Sequence, residues 1–279
     1  MGYNEADISG KGRYRHMTRQ TAADINILGR FCGKRDVEEL TTACLRERFS
    51  LDQADVMVLF GGSILAGGDI LARAMKDGAA RKYIIVGGAG HTTETLRSRV
   101  RQEYPDIETA DQPEAVIFDR YLARVYGLHA DALETASTNC GNNITFLLDL
   151  LRERNIPCRS IILCQDATMQ ARMEAGLRRH APGITCINYA AYRAEVTAAN
   201  GRPEYTRPIH GMWDVERYVN LLMGEIPRLT DDAEGYGPAG KDFIAHVEIP
   251  AEIRAAFQRL QTVYGSRTRE ANPLFASRQ

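Results

Sequence analysis

One stretch constrains the fold more than any other: Tyr83-Ile84-Ile85-Val86-Gly87-Gly88-Ala89-Gly90-His91-Thr92-Thr93. Its continuous apolar run suits a parallel strand covered on both faces. Gly87, Gly88 and Gly90 then permit backbone angles and close approaches that a Cβ would forbid. Thr92 or Thr93 can cap a following helix, whose free N–H groups and positive dipole end would face whatever lies over the loop. A strand, glycines and a helix N-terminus together form a ready site for an anion or nucleotide. The same turn also serves tight packing alone in many α/β proteins.

A second strand stands upstream. Val56 to Phe60 runs into Gly61-Gly62-Ser63, and a helix is predicted from about Ile64 to Ala79. Strand, helix, strand implies a parallel βαβ unit with a right-handed crossover. Further strands are predicted near Ala132 to Thr135, over Ser160 to Cys164, and over Ile184 to Tyr189. Helices are predicted over Thr92 to Tyr104, from Pro113 with Glu114 in its first turn, and after Ser137-Thr138-Asn139-Cys140-Gly141-Asn142-Asn143. The last carries the apolar face Ile144, Leu147, Leu148 and Leu151.

At the N-terminus, residues 1 to about 17 read as a polar arm. A helix with Thr21, Ile25, Leu28 and Cys32 on one face follows, ending at Gly33, and then a capping-box pattern at Asp36 and Glu39 opens a second helix. Ala190 to Pro208 reads as a polar loop. Trp213 to about Met223 reads as a helix, and a long glycine-rich charged loop, Asp231 to Asp242, is either a functional lid or a linker. Tyr236, Phe243 and Ile244 argue for order there, and Pro250 opens a final helix. The organisation expected is an arm and helical pair over 1–50, an α/β domain over 51–208, and a helical subdomain over 209–279.

With 279 residues, 25% of them charged and a net charge of -1, nothing asks for nucleic acid or an anionic membrane. No run approaches the ~18 apolar residues of a membrane helix, and the first 17 residues lack the apolar segment of a secretory signal. The expected partner is a small-molecule ligand, and the expected location is the cytoplasm. Six scattered cysteines without a Cys-x-x-Cys pair predict neither a disulfide framework nor a zinc site.

Candidate functional residues follow from the strand ends, because ligands of open parallel sheets bind at that edge. Gly61, Gly62, Ser63, Gly87, Gly88, Gly90, Thr92, Asn139, Asn143 and Gln165 are the candidate binding residues. Asp166 is placed for ligand contact, or equally for helix capping. Glu114 and Asp166 are candidate acid/base groups, and His91, with Asn139 and Asn143, a donor to developing charge. Cys140 stands at a helix start but has no identifiable base.

The segments Gly87 to Thr93, Ser137 to Asn143, Gln165 to Gln170, Val215 to Tyr218 and Asp231 to Ile244 carry a resemblance. Over about Thr21 to Phe257 the chain resembles the YdcF-like branch of the SanA/YdcF/ElyC family of bacterial proteins. That resemblance implies a Rossmann-like α/β fold with helices on both faces of a parallel sheet and a smaller C-terminal helical part. It also implies binding of S-adenosyl-L-methionine, with no established reaction. Two positions depart from the pattern: Asn142 stands where YdcF-like sequences carry Glu, and Met169 where the wider family often has His.

The residues themselves do not select that ligand. Phe60-Gly61-Gly62-Ser63 lacks the acid that commonly follows the first strand of a Rossmann-like methyltransferase, and Val86 leads to Gly87 where an acidic ribose partner is expected. The alternatives are an enzyme acting on a phosphorylated or nucleotide-linked substrate, such as an envelope precursor, and an interaction protein whose Asp231 to Asp242 loop docks a partner or closes a dimer.

Overall fold

A computed structural model describes residues 18–90, 92–199 and 201–265. The polar arm lies outside the described residues, as does His91. Five strands form one parallel sheet: β1 (Ala54–Phe60), β2 (Ala80–Val86), β3 (Ala132–Glu134), β4 (Ser160–Cys164) and β5 (Thr185–Asn188). Their order is β3-β2-β1-β4-β5. Helix α3 (Ala66–Lys76) joins β1 to β2, α4 (Thr93–Glu103) and α5 (Glu114–Tyr126) join β2 to β3, α6 (Cys140–Glu153) joins β3 to β4, and α7 (Gln170–His180) joins β4 to β5.

The side-chain period of two sorts the strands into two cores. Val56, Val58, Phe60, Ile84, Val86, Ile161 and Leu163 pack with Ile144, Leu147 and Leu151 of α6 and Met173 and Leu177 of α7. Met57, Leu59, Ile85, Ile162 and Cys164 pack on the opposite face with α3, α4 and α5. Helices therefore cover both faces, which is why the strands are apolar without alternation. The fold is Rossmann-like α/β.

The flanking helices extend the second of these cores. Helix α1 (Arg19–Cys32) is capped by Thr18, whose hydroxyl accepts from Thr21 N at 3.0 Å, and it stops at Gly33. Helices α8 (Val215–Leu229) and α9 (Ala251–Tyr264) pack with it, so Ile25, Leu28, Leu222 and Leu260 share one core with Met57 and Leu59 of the sheet.

Three local expectations are revised. Asp36 opens no helix: α2 (Thr42–Phe49) starts later, capped by Thr41. Asp36 Oδ2 instead accepts from Asn188 N at 2.6 Å and Asn188 Nδ2 at 3.0 Å, and Arg35 bridges to Tyr189, tying this segment to the outer end of β5. The stretch expected as a polar loop contains an antiparallel ribbon, β6 (Val196–Ala199) with β7 (Arg202–Tyr205). A two-stranded ribbon tolerates Pro203, since each strand leaves one edge unpaired, and Asn26 of α1 holds it by bonding both N and O of Val196. The helix begun near Trp213 runs six residues past Met223 to Leu229, with Pro227 in its last turn.

The loop from Asp231 onward is built, and it lies along α7. Asp232 Oδ1 accepts from Gly235 N at 2.9 Å and Asp231 Oδ1 from Ala239 N at 2.6 Å. A Cβ on Gly235 would overlap the Thr230 carbonyl, so the tight return there requires glycine. Ala245 N donates to Ala175 O at 3.0 Å, and Arg179 pairs with Asp242 at 2.6 Å.

Candidate functional site

The strand order reverses between β1 and β4, so the loops leaving their C-terminal ends diverge to opposite faces and leave a crevice. Phe60, Gly61, Gly62, Ile64, Gln165 and Asp166 line it, with Phe118 and Ala191 behind. Its volume is about 10 Å³, the room of a single water molecule. Asp166 is the one ionisable group among these lining residues. Its Oδ1 accepts from Thr168 N at 2.8 Å, Thr168 Oγ1 at 2.6 Å and Tyr192 Oη at 2.9 Å. Burial pushes the Asp166 carboxyl above the ordinary carboxylate value, outweighing the lowering by those donors. Gln165 is held from both sides: its N donates to Gln170 Oε1 at 2.9 Å and its Oε1 accepts from Asp166 N at 2.6 Å. Ser63 is engaged structurally, its Oγ accepting from Trp213 Nε1 at 3.0 Å and its carbonyl from Arg99.

Glu114, at the start of α5, fills the gap between the ends of β1 and β2. A Cβ on Gly61 would overlap Glu114 Oε2 and come within 2.9 Å of Glu114 Cβ and 3.3 Å of Gly87 Cα. These glycines are therefore spaces for a carboxylate of the chain itself. Glu114 Oε1 accepts from Thr93 Oγ1 at 2.8 Å and Thr92 Oγ1 at 3.1 Å. Burial raises its pKa, against the lowering by both threonines. Thr92 and Thr93 thus hold Glu114 in place. Gly90 N donates to Thr93 Oγ1 at 2.7 Å, and Gly88 N donates to Ser137 O at 3.0 Å.

Asn139 caps α6. Its side chain accepts from Asn142 N at 3.1 Å, while Asn142 Oδ1 accepts from Asn139 N and Thr138 N, each at 2.9 Å. An Asn at position 142 completes this reciprocal cap as a Glu or Gln would. Asn143 is half-buried, with its N donating to Asn139 O at 2.9 Å. The Cys140 thiol faces the Met169 thioether, with a sulfur–sulfur distance of 3.7 Å.

Gly61, Gly62, Gln165 and Asp166 thus meet at one crevice, and Glu114 and Gly87 pack against Gly61. Asn139, Asn143, Gly88 and Gly90 belong to the adjoining β2–β3 end. Three groups escaped the sequence reading. Tyr192 holds Asp166, and the only sign of it was its place shortly after the fifth strand. Arg172 and Glu225 form a buried two-point ion pair, Nε to Oε2 at 2.6 Å and Nη2 to Oε1 at 2.9 Å, joining α7 to α8. Glu134 ends β3 with its carboxylate buried, and a lone acid closing a three-residue strand was its only sequence signal.

A larger cavity of about 330 Å³ lies between α1 and α9, lined by Thr21, Asp24, Arg259 and Leu260 among others. It contains none of the residues predicted for chemistry. Among the described residues, no group of three or more His, Cys, Asp or Glu side chains is arranged to hold a metal ion, and no helix is long and apolar enough to cross a membrane. No protein-family model matches the chain.

Proposed function

We propose that this protein binds S-adenosyl-L-methionine or a related adenosyl ligand at the edge where the β1 and β4 loops part, as its resemblance to YdcF-like proteins implies. One observation carries the reading: the glycine loop Gly61-Gly62 and the acid Asp166 meet at the switch point of a doubly wound sheet, with no Lys or Arg among the residues lining the crevice. An acidic, glycine-walled edge suits hydroxyl groups and a sulfonium cation, and works against a phosphate. The closed crevice holds about one water molecule, so entry of such a ligand requires the 61–64 and 165–168 loops to move apart.

Calorimetric titration with S-adenosylmethionine and then S-adenosylhomocysteine tests this. The expected result is saturable heat that Asp166→Asn weakens by about tenfold or more, the worth of one hydrogen bond to a charged group. Asn139→Ala weakens it as well. Absence of both heat and thermal shift at saturating ligand removes the reading.

A second reading has its own support. Burial raises the pKa of both Glu114 and Asp166, and a buried carboxyl shifted in that direction at a strand end is a candidate general acid for a phosphorylated or nucleotide-linked substrate. Undiminished turnover of such a substrate by Asp166→Asn and Glu114→Gln would remove that assignment.

A further inference from the structure

An acid at the end of the strand beside the glycine loop holds a ribose hydroxyl in many open parallel sheets. β2 has none, because Val86 runs directly into Gly87. The neighbouring strand has one. Glu134 stands in register with Val86, and Gly87 N donates to its carbonyl at 2.9 Å. Paired residues of a parallel sheet share a face, so the Glu134 side chain rises on the α6 side of this edge, as Val86 does.

Its two carboxylate oxygens differ. Oε1 accepts from Ala136 N at 2.5 Å and Ser137 N at 3.0 Å. Oε2 is buried and has no hydrogen-bond partner among the described residues, in a residue only 7% exposed. A buried acceptor left without a donor carries its full desolvation cost, so native proteins keep few of them. The other such side-chain atom among the described residues, Asn220 Oδ1, is a neutral amide on α8. Glu134 Oε2 is thus a strong acceptor, held by its sister oxygen, at the strand end where the glycine loop lies. Among the described residues, the 135–138 segment that anchors Oε1 is tied to this loop through Gly88 N, which is shared between Ser137 O at 3.0 Å and Ser137 Oγ at 3.3 Å.

We propose that Glu134 Oε2 accepts a hydrogen bond from a ribose hydroxyl of the bound ligand, which makes Glu134 a specificity residue for ribosyl over deoxyribosyl ligands. The inference rests on the adenosyl reading of the site. It supplies from β3 the acid that β2 lacks.

The test is calorimetry with S-adenosylhomocysteine and its 2′-deoxy and 3′-deoxy analogues, on the wild-type chain and on Glu134→Gln. Glutamine keeps one oxygen for the Ala136 and Ser137 N–H groups, so the variant is expected to melt near the wild type. It places an NH2 where Oε2 was, which cannot accept. The expected result is binding of S-adenosylhomocysteine at least about tenfold weaker in Glu134→Gln. Removing one of the two hydroxyls then weakens wild-type binding by a similar factor and leaves the variant unchanged. Wild-type binding that is indifferent to both hydroxyls overturns the proposal without any variant. So does a hydroxyl effect of equal size in wild type and Glu134→Gln, and in either case the adenosyl reading stands. No wild-type binding of S-adenosylhomocysteine or S-adenosylmethionine removes the adenosyl reading, and this inference with it.

Discussion

Arg172→Met is the perturbation with the clearest expected magnitude. Arg172 and Glu225 meet at two points, 2.6 and 2.9 Å, with side chains 13% and 6% exposed. Water therefore screens the pair little. Removing the guanidinium leaves the Glu225 carboxylate buried beside apolar α8 neighbours, and breaking such a pair from one side costs about 3–5 kcal/mol. At roughly 2–4 °C per kcal/mol for chains approaching this length, the melting temperature falls by about 6–20 °C. The double variant Arg172→Met/Glu225→Met behaves differently. Both charges are gone, their desolvation cost is gone with them, and stability returns close to the wild-type value. Urea denaturation of the four proteins gives the coupling energy directly, provided the slope of each transition is unchanged. A loss below about 1 kcal/mol in Arg172→Met, or a double variant as unstable as the two singles added together, would refute the reasoning. The functional consequence follows from position: α7 begins just after the Gln165 to Met169 loop, and this pair is its anchor to α8.

Three further outcomes are expected. Gly61→Ala forces a methyl group against Glu114 and the Gly87 backbone and costs about 1–3 kcal/mol by overpacking, whereas a Cβ on Gly62 meets nothing within 4 Å and leaves the melting temperature nearly unchanged. Asp166→Asn, with the folded carboxyl raised above its unfolded value by burial, removes a destabilisation that grows as pH rises through that folded value; the variant melts above the wild type at pH 8, and the gain shrinks on acidification even as ligand binding weakens. His210 bonds Asp69 Oδ2 and Glu103 Oε2, each at 2.8 Å; burial disfavours its charge, but the two carboxylates outweigh this and raise its pKa. Its contribution is therefore full below the unfolded value of about 6.5 and is lost as pH rises through the raised folded value. An NMR titration of the His210 ring with a midpoint at or below 6.5, or a His210→Gln variant with the wild-type dependence of melting temperature on pH, would contradict that assignment.

Much of the fold was legible locally. Val56 to Phe60, Tyr83 to Val86 and Ser160 to Cys164 announced themselves as apolar runs closed by glycine or polar turns, and Gly33, Pro113, Asn139 and Pro250 marked helix ends where the chain places them. The candidate site was legible in part: Gly61, Gly62, Gln165 and Asp166 were read as separate strand ends, and they line one crevice. Asp36 reads locally as a helix cap because its partner, Asn188, is more than 150 residues away. The Val196 to Tyr205 ribbon carries a local hairpin signal in the dipeptide Asn200-Gly201, set in a polar stretch with two prolines that otherwise reads as a loop.

The sequence by itself determined the elements, since strand periodicity, glycine conformations and helix caps are governed by sterics and hydrogen bonds within a few residues. Only the tertiary structure decided the order β3-β2-β1-β4-β5, the filling of the Gly61–Gly87 gap by Glu114, the register that sets Glu134 level with Val86, and the pairing of Arg172 with Glu225. Those arrangements depend on which buried faces meet across long stretches of chain. A carboxylate's role follows from its surroundings, and those are fixed only when the faces have packed.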